Sequence, residues 1–593
     1  MTARPLIPDN ELIFVPVSKN QLFLGQLDKH NIADKHNTKK TAMFKKNNLL
    51  IILTIFAFAS CNVENKRIEP ALNSITADDM KGYISVLASD DFMGRSPATI
   101  GEEKTISYLE EQFKQLGLVP ANNGSYFQEV SLIKLTADKS MKLDITGTKD
   151  KISLKFSDDF IGGTPQVTEF VKIDNSDIVF VGYGINSPEN NWNDYDGIDV
   201  KGKTVLMLVN DPGYATGDSN LFNGKAMTYY GRWTYKYEEA ARQGAKAAII
   251  IHETGAAAYP WAVVQNSWSG SQFYLTGNEL SKSDLQLQSW VTTEAAKEIF
   301  ELCGLDYDEL TTAAAKSGFK PVEMNLKASV QFKNRVECTK SNNVAALWPG
   351  TDRSDEYVIY TAHWDHFGVN PAFKGDSILN GALDNATGTA ALLEIAKAFT
   401  MLPLRQNRSV LFLAVTCEEQ GLLGSEYYAE NPLFPLAKTA AVINMDALNI
   451  LGRTKDMTIV GYGNSQLDNY AVAVLKKHGR YASPDPTPEK GGYFRSDHFS
   501  FAKVGVPSLY LSKGVDDIEH GKEWALAESE KWTMENYHKP SDNYEPDKWH
   551  FDGMIEDVKV YFETGYDLSI SDQFPEWNPG VPFKSLREKM MIK

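Results

Sequence analysis

Candidate metal ligands stand at or near the ends of strand-like segments in the middle of this 593-residue chain. Three apolar runs of strand length, 357–362, 409–416 and 440–444, each end close to an imidazole or a carboxylate, and a helical pattern at 389–400 separates the first two runs. The candidate ligands are His363, Asp384, Glu419, Asp446 and His538. Because ligands bind beyond the carboxyl ends of the strands in an open parallel sheet, we expect these side chains to form one site.

The ligand types favour two catalytic metal ions. Imidazole and carboxylate ligands suit zinc, manganese or cobalt, and a set without thiolates argues against a closed structural zinc. Five ligands are too many for one open tetrahedral zinc, but they fit two ions that share the carboxylate of Asp384. Two divalent ions carry +4, three carboxylates −3 and a bridging hydroxide −1, so the cluster is neutral. Glu418 is then free to act as a general base, which contributes about 10²–10⁴ in rate.

Neighbouring residues are expected to support this site. Asp365 stands two positions after His363 and is expected to accept the second ring proton of that imidazole, which fixes its tautomer. His366 is interpreted as a loop residue or a residue that supports a ligand, and His498 as a pocket-wall or hydrogen-bonding residue. Pairing of Cys303 with Cys338 is open, because spacing alone does not decide it.

Composition describes a soluble globular chain of several domains. Apolar residues make up 42% and charged residues 23% of the sequence. The net charge of −17 argues against a nucleic-acid partner.

A leader pattern begins at Met43, where a short basic segment, Phe44-Lys45-Lys46, precedes the apolar run 49–59 and Cys61. It resembles a bacterial lipoprotein signal peptide at 43–61, and the alternative is a plain signal peptide. We therefore expect export, a lipid at Cys61 that anchors the chain to the bacterial envelope, and a polar tether at 62–75. Because a signal peptide begins a chain, residues 1–42 are interpreted as a mis-called upstream extension.

The remaining sequence predicts an α/β fold with an insertion. Helical patterns begin the first catalytic segment, 76–130, and alternating strand and helix patterns fill the second, 336–580. Short β-rich runs occupy 131–335, which we interpret as an inserted module. The predicted core is a mixed, mostly parallel sheet flanked by helices.

Several motifs together resemble the co-catalytic zinc aminopeptidase family, which includes secreted bacterial leucine-type aminopeptidases and glutamate carboxypeptidase II. Their order along the chain also matches. They are His363-Trp364-Asp365, Asp384-Asn-Ala-Thr-Gly388, Glu418-Glu419-Gln-Gly-Leu-Leu-Gly424-Ser425, Asn444-Met-Asp446, Arg495-Ser-Asp497-His498, Tyr537-His538 and, near the start, Met93-Gly94-Arg95.

The resemblance implies roles for these residues and a zinc exopeptidase fold. One zinc ion would be held by His363 and Asp446, the other by Glu419 and His538, with Asp384 shared. Glu418 would be the general base and Tyr537 a donor to the developing oxyanion. The insertion resembles a protease-associated domain at 195–203 and 244–250, which in relatives covers the cleft.

The sequence thus predicts a secreted, membrane-anchored aminopeptidase that removes N-terminal residues from peptides. One alternative is a carboxypeptidase or dipeptidase of the same fold that acts on acidic C-terminal residues. Another is a non-catalytic surface binding protein, although such relatives lose ligands. Cyclisation of N-terminal glutamine is a further chemistry of the family, but those relatives normally lack the insertion.

Overall fold

The computed structural model describes residues 67–277 and 279–592. The predicted upstream extension, the signal peptide and Cys61 therefore lie outside the described residues. Within the described ranges, helices long and apolar enough to cross a bilayer are absent.

Helices and strands alternate along the described chain. The helices are α1 (67–74), α2 (Ala77–Leu87), α3 (Ile100–Gln115), α4 (Pro212–Thr216), α5 (Trp233–Arg242), α6 (Thr254–Ala257), α7 (Trp261–Trp268), α8 (Glu279–Lys282), α9 (Thr293–Leu302), α10 (Tyr307–Ala314), α11 (Thr387–Thr400), α12 (Leu423–Glu430), α13 (Leu467–Lys477), α14 (His498–Lys503), α15 (Lys522–Asn536), α16 (Phe551–Ile570) and α17 (Lys584–Ile592). The strands are β1 (Val119–Pro120), β2 (Phe127–Ala137), β3 (Lys142–Thr146), β4 (Lys151–Lys155), β5 (Phe160–Gly163), β6 (Phe170–Phe180), β7 (Asn186–Ser187), β8 (Trp192–Asn193), β9 (Thr204–Leu208), β10 (Ala247–His252), β11 (Gln272–Leu275), β12 (Leu287–Thr292), β13 (Val322–Trp348), β14 (Arg353–His363), β15 (Gly368–Val369), β16 (Ile378–Leu379), β17 (Arg408–Val415), β18 (Thr439–Asn444), β19 (Asp456–Val460), β20 (Tyr481–Pro484) and β21 (Ser508–Ser512).

The sheet of the second catalytic segment is mixed and mostly parallel, as predicted. Its order is β13-β17-β14-β18-β21-β19-β20. The pairs β17–β14, β14–β18, β18–β21 and β19–β20 are parallel, whereas β13–β17 and β21–β19 are antiparallel. The carboxyl ends of β14, β17 and β18 therefore lie side by side at one edge of the sheet.

Helices cover both faces of this sheet, so its central strands are apolar on both sides. Successive residues alternate between the two faces. On β14, Val358 and Tyr360 pack with α2, α3, α11, α13 and α16, while Ile359 packs with α12, α14 and α17. Almost every residue of α11 is buried, because this helix lies between the sheet and α2 and α16.

The strand β13 joins this sheet to the inserted unit. Its first half pairs with β6 and β3, its middle with β2, and its end with β17. The boundaries predicted near 130 and 335 thus fall inside a two-stranded ribbon, which carries the chain into and out of the insertion. The inserted sheet contains a parallel core, β6-β9-β10-β12, with α5 and α9 packed against β10. Cys303 and Cys338 are free thiols.

The predicted polar tether is wrong over residues 67–75. Residues 67–74 are helical, and Ile68, Ala71 and Ile75 are buried in the core of the catalytic unit. These apolar residues recur at helical spacing, so one face of this short helix packs on the core although the segment is polar on average.

Candidate metal centre

The five candidate ligands converge at the carboxyl edge of the sheet. His363 Nε2 lies 3.4 Å from Asp384 Oδ1 and 3.4 Å from Asp446 Oδ1. His538 Nε2 lies 3.5 Å from Asp384 Oδ2 and 3.1 Å from Glu419 Oε2. Asp384 thus offers one oxygen to each imidazole, the position expected of a bridging ligand.

Asp365 connects two of the strand ends. His363 Nδ1 donates to the backbone carbonyl of Asp365 at 3.2 Å, whereas the carboxylate of Asp365 is 3.8 Å away. That carboxylate instead accepts the backbone N–H of Glu418 at 3.0 Å. The expected support of His363 is therefore provided by the carbonyl oxygen, which still leaves Nε2 free to face the cluster.

A sharp turn at Cys417, after β17, leads into the short helical turn Glu418–Gln420, which carries both glutamates. Cys417 adopts φ +54°, a left-handed conformation that costs a non-glycine residue about 1 kcal/mol or more. The next residue, Glu418, has an oxygen 3.9 Å from His363 Nε2. Glu419 instead points to His538 and also contacts His366 Nδ1 at 2.5 Å. The sequence predicted either a loop position or a supporting role for His366, and this contact makes it a partner of the ligand Glu419.

Asp542, which sequence reasoning did not assign, holds the loop of the shared ligand. Its carboxylate accepts the backbone N–H groups of Leu383 at 2.9 Å and Asp384 at 3.1 Å. Its only sequence signal was its place four residues after His538. The loop also needs Gly388, because a Cβ there would lie 2.3 Å from Asn385 Oδ1 and 2.4 Å from the carbonyl oxygen of Met445.

Two further buried residues, also without an assigned role, orient the ligand loops. Ser496 Oγ donates to Asp446 Oδ2 at 2.6 Å and accepts from the Asn444 amide. The guanidinium of Arg95 donates to four carbonyl oxygens. They belong to Leu87, Trp364, Asn380 and Gly381. Arg95 thus clamps the segment after His363 to the segment before Asp384.

The surroundings of Asp384 and Glu418 shift the pKa values of these two carboxylates in opposite directions. Burial alone would raise the pKa of Asp384, but His363 and His538 hold it well below its usual range. Burial raises the pKa of Glu418 well above its usual range, and Glu419 and Asp446 raise it further against the opposing effect of His363. A proton is therefore held more readily on Glu418 than on Asp384.

The donor set fits metal ions. The Nε2 atoms of His363 and His538 are buried and form no hydrogen bond within residues 67–277 and 279–592, although carboxylate oxygens surround them. In each of two groups, the possible ligand atoms lie within 4.8 Å of one another: His363, Asp384 and Glu419 form one group, and His363, Glu418 and Asp446 form the other. Mixed imidazole and carboxylate donors suit zinc, manganese or cobalt.

A cleft of about 630 Å³ opens beside the ligands Glu419 and His538. The catalytic unit contributes Glu418, Glu419, Tyr537 and His538 to its wall, and the insertion contributes residues such as Arg232 and Ser267. Burial, together with Asp384 and Glu419, raises the pKa of Tyr537 well above its ordinary value, so its hydroxyl remains a donor.

Replacing Asp542 tests whether this carboxylate prepares the shared ligand. In Asp542→Ala the two backbone N–H groups lose a buried acceptor, and a weakened outer support of a ligand typically costs about 10–100-fold in metal affinity. We expect zinc titration of the metal-stripped variant to show a loss of that size. The exposed Asp547→Ala should bind as the unmodified chain does. Unchanged affinity in Asp542→Ala would contradict the assignment.

Comparison with known proteins agrees with this geometry. Residues 343–562 match the model of Peptidase family M28. Aminopeptidase NAALADL1 of Mus musculus is 36% identical over 135 residues, which are 22% of this chain and 16% of that protein. Aminopeptidase YwaD of Bacillus subtilis (strain 168) is 26% identical over 230 residues, 37% of this chain and 43% of that protein. The matches thus span less than half the length of either relative.

A solved structure shares the fold. An aminopeptidase from Aneurinibacillus sp. strain AM-1 aligns over 86% of this chain and 97% of its own, with a TM-score of 0.51 and 18% identity. This likeness confirms the predicted fold class. The family match confirms the resemblance drawn from the motifs, because it covers every candidate ligand. The chain therefore contains, at residues 343–562, a domain of Peptidase family M28.

Proposed function

We propose that this chain is a zinc-dependent aminopeptidase that hydrolyses N-terminal residues from peptides. The observation that carries the proposal is the convergence of two imidazoles and four carboxylates beside an open cleft that Glu418, Glu419 and His538 line. Two divalent ions bound there would polarise a peptide carbonyl and lower the pKa of water. The relatives named as aminopeptidases support the same reaction.

The protein groups divide the remaining chemistry. Glu418 takes a proton from the attacking water and passes it to the leaving amine nitrogen, so the new C–O bond replaces the C–N bond without a net change of charge. The Tyr537 hydroxyl donates a hydrogen bond to the carbonyl oxygen as negative charge develops on it. Asp365 orients Glu418, because its carboxylate accepts the backbone N–H of Glu418.

Glu418→Gln separates proton transfer from metal binding. The amide retains the size of the side chain but accepts no proton, so we expect a loss of about 10²–10⁴ in kcat while two zinc ions remain bound. Peptide hydrolysis and metal content are measured on the same preparation. Glu535→Gln, on the exposed side of α15, is the control. Normal activity would remove Glu418 from the reaction, and loss of one ion would make it a ligand instead.

The class of peptidase is tested with one short peptide in three forms: unmodified, N-acetylated and C-amidated. We expect cleavage of the unmodified and C-amidated forms, and no cleavage of the N-acetylated form. A chelator should abolish hydrolysis and added zinc should restore it. Cleavage of the N-acetylated form would contradict an aminopeptidase.

A metallo-carboxypeptidase or dipeptidase is the second candidate, and two guanidinium groups in the cleft favour it. Arg232 and Arg495 both line the cleft, and the Nε atom of each forms no hydrogen bond within the described residues. Burial and, after it, the like charge of Arg495 together lower the pKa of Arg232 to about 10. Paired guanidinium groups suit a substrate carboxylate. In the three-form experiment, a carboxypeptidase predicts cleavage of the N-acetylated peptide and loss of cleavage on amidation.

We also propose that the protein is exported and anchored to the bacterial envelope by a lipid on Cys61, because the sequence pattern at 43–61 is that of a lipoprotein signal. Expression of the full chain in a bacterium should place it in the membrane fraction, with a lipid-modified Cys61 as the first residue by mass analysis. The Cys61→Ser variant should be absent from the membrane fraction. Recovery of a chain that retains residues 2–42 would contradict the proposal.

The resemblance of the insertion to a protease-associated domain stays a prediction.

A further inference from the structure

The inserted unit reaches one of the candidate metal ligands directly. Ser267 Oγ lies 3.2 Å from His538 Nδ1, although the two residues are 271 positions apart in the chain. The preceding residue, Asn266, donates through Nδ2 to the backbone carbonyl of His538 at 2.9 Å. Both the ring and the backbone of this ligand therefore have a partner in α7 of the insertion.

The contact involves the ring nitrogen that faces away from the other ligands. His538 Nε2 faces Glu419 and Asp384, so Nδ1 is the atom left to carry the ring proton when Nε2 binds a metal. The hydroxyl oxygen of Ser267, at 3.2 Å, can accept a hydrogen bond from that Nδ1–H group. Such a partner fixes both the tautomer and the orientation of a ligating imidazole.

Few other features of the catalytic unit hold the backbone of His538 in place. Its backbone adopts φ +55°, the left-handed conformation that is strained for a residue with a Cβ. The helix before it, α15, buries only Ala525, so that helix offers little packing to hold the ligand in place. The hydrogen bond from Asn266 to the carbonyl of His538 instead ties this strained residue to the insertion.

The insertion presents Ser267 from a fixed position. Helix α7 packs into the core of the insertion through Val264 and Trp268, on either side of Ser267. Two other contacts dock the insertion beside the site. Gln420, next to Glu419, accepts the backbone N–H of Phe273 at 3.3 Å, and Arg495 Nη2 donates to the carbonyl of Ala257 at 2.8 Å.

From these contacts we propose that Ser267 is a positioning residue for the metal ligand His538, so that the inserted unit completes one of the two metal sites. The ion bound by Glu419 and His538 then depends on docking of the insertion, whereas the ion bound by His363 and Asp446 depends on the catalytic unit alone. The inference rests on the proposed metal-dependent function, but it concerns metal binding and is tested without peptide hydrolysis.

The test is metal binding by the full chain and its Ser267→Ala variant. Both proteins are stripped of metal, and zinc is added back in competition with a chromophoric chelator, while cobalt is followed through its visible absorption. We expect Ser267→Ala to bind one zinc ion as before and the other about 10–100-fold more weakly, with a changed cobalt spectrum. Excess zinc should restore kcat without a change in KM.

Matched variants separate positioning from general damage. Ser267→Thr keeps a hydroxyl and should restore both affinities, and the exposed Ser153→Ala, in β4 of the same insertion, should bind as the unmodified chain does. Asn266→Ala, which removes the bond to the His538 carbonyl, should weaken the same ion and not the other.

Two outcomes would overturn the inference. In the first, Ser267→Ala binds both ions with unchanged affinity and an unchanged cobalt spectrum. In the second, both ions are weakened equally and the metal-free variant unfolds at lower denaturant, which indicates a general loss of structure. If the unmodified chain hydrolyses none of the peptides but Ser267→Ala loses one ion selectively, the inference stands and the proposed peptidase activity does not.

Discussion

The candidate metal centre brings several carboxylates close together at a buried site, and the rest of the structure depends on this constraint. Asp384, Glu418, Glu419 and Asp446 lie around two imidazoles, and each of these carboxylates is at most about one-seventh exposed. When ionised they carry −4 in a region where a buried, unpaired charge is costly. Two divalent ions carry +4, which offsets this charge and also gives the unpaired Nε2 atoms a partner. Metal binding is therefore expected to stabilise the folded chain as well as to supply chemistry.

The rest of the catalytic unit prepares the backbone for that arrangement. Parallel pairing of β14 with β17 and β18 brings three strand ends to one edge, but it does not fix the loops that follow them. Arg95 and Asp542 fix those loops through backbone groups: one donates to carbonyl oxygens and the other accepts N–H groups. Both are buried ionisable groups that act on the main chain, so ligand geometry is set before any metal arrives, which reduces the entropy lost on binding.

Sequence reasoning recovered the parts of the site that local pattern determines. The apolar runs and the polar residues that end them predicted β14, β17 and β18 and placed His363, Glu419 and Asp446 at one edge, because a buried parallel strand has a distinct pattern and a known ligand-binding end. Asp384 and His538 were included for their ligand types although no strand ends at them, and the role of Tyr537 needed the family resemblance. Residues 67–75 were misjudged because average polarity concealed three apolar residues at helical spacing. Ser267 and Asp542 could not be assigned, because a lone serine in a helix or a lone aspartate in a loop carries no signal until the fold brings it to a ligand.

The choice of substrate depends on residues that lie far apart in the sequence. Glu418 and Tyr537 lie on one wall of the cleft, whereas Arg232 and Ser267 reach it from a unit inserted before the first metal ligand. The chemistry at the metal ligands needs ligand atoms placed to within a few tenths of an ångström. The fit of a peptide end instead depends on how the catalytic unit and the insertion dock. Since Ser267 also touches His538, a shift of the insertion would alter the metal centre and the cleft together. Substrate binding that moves the insertion would then change metal affinity by the same free energy with which metal binding changes substrate affinity.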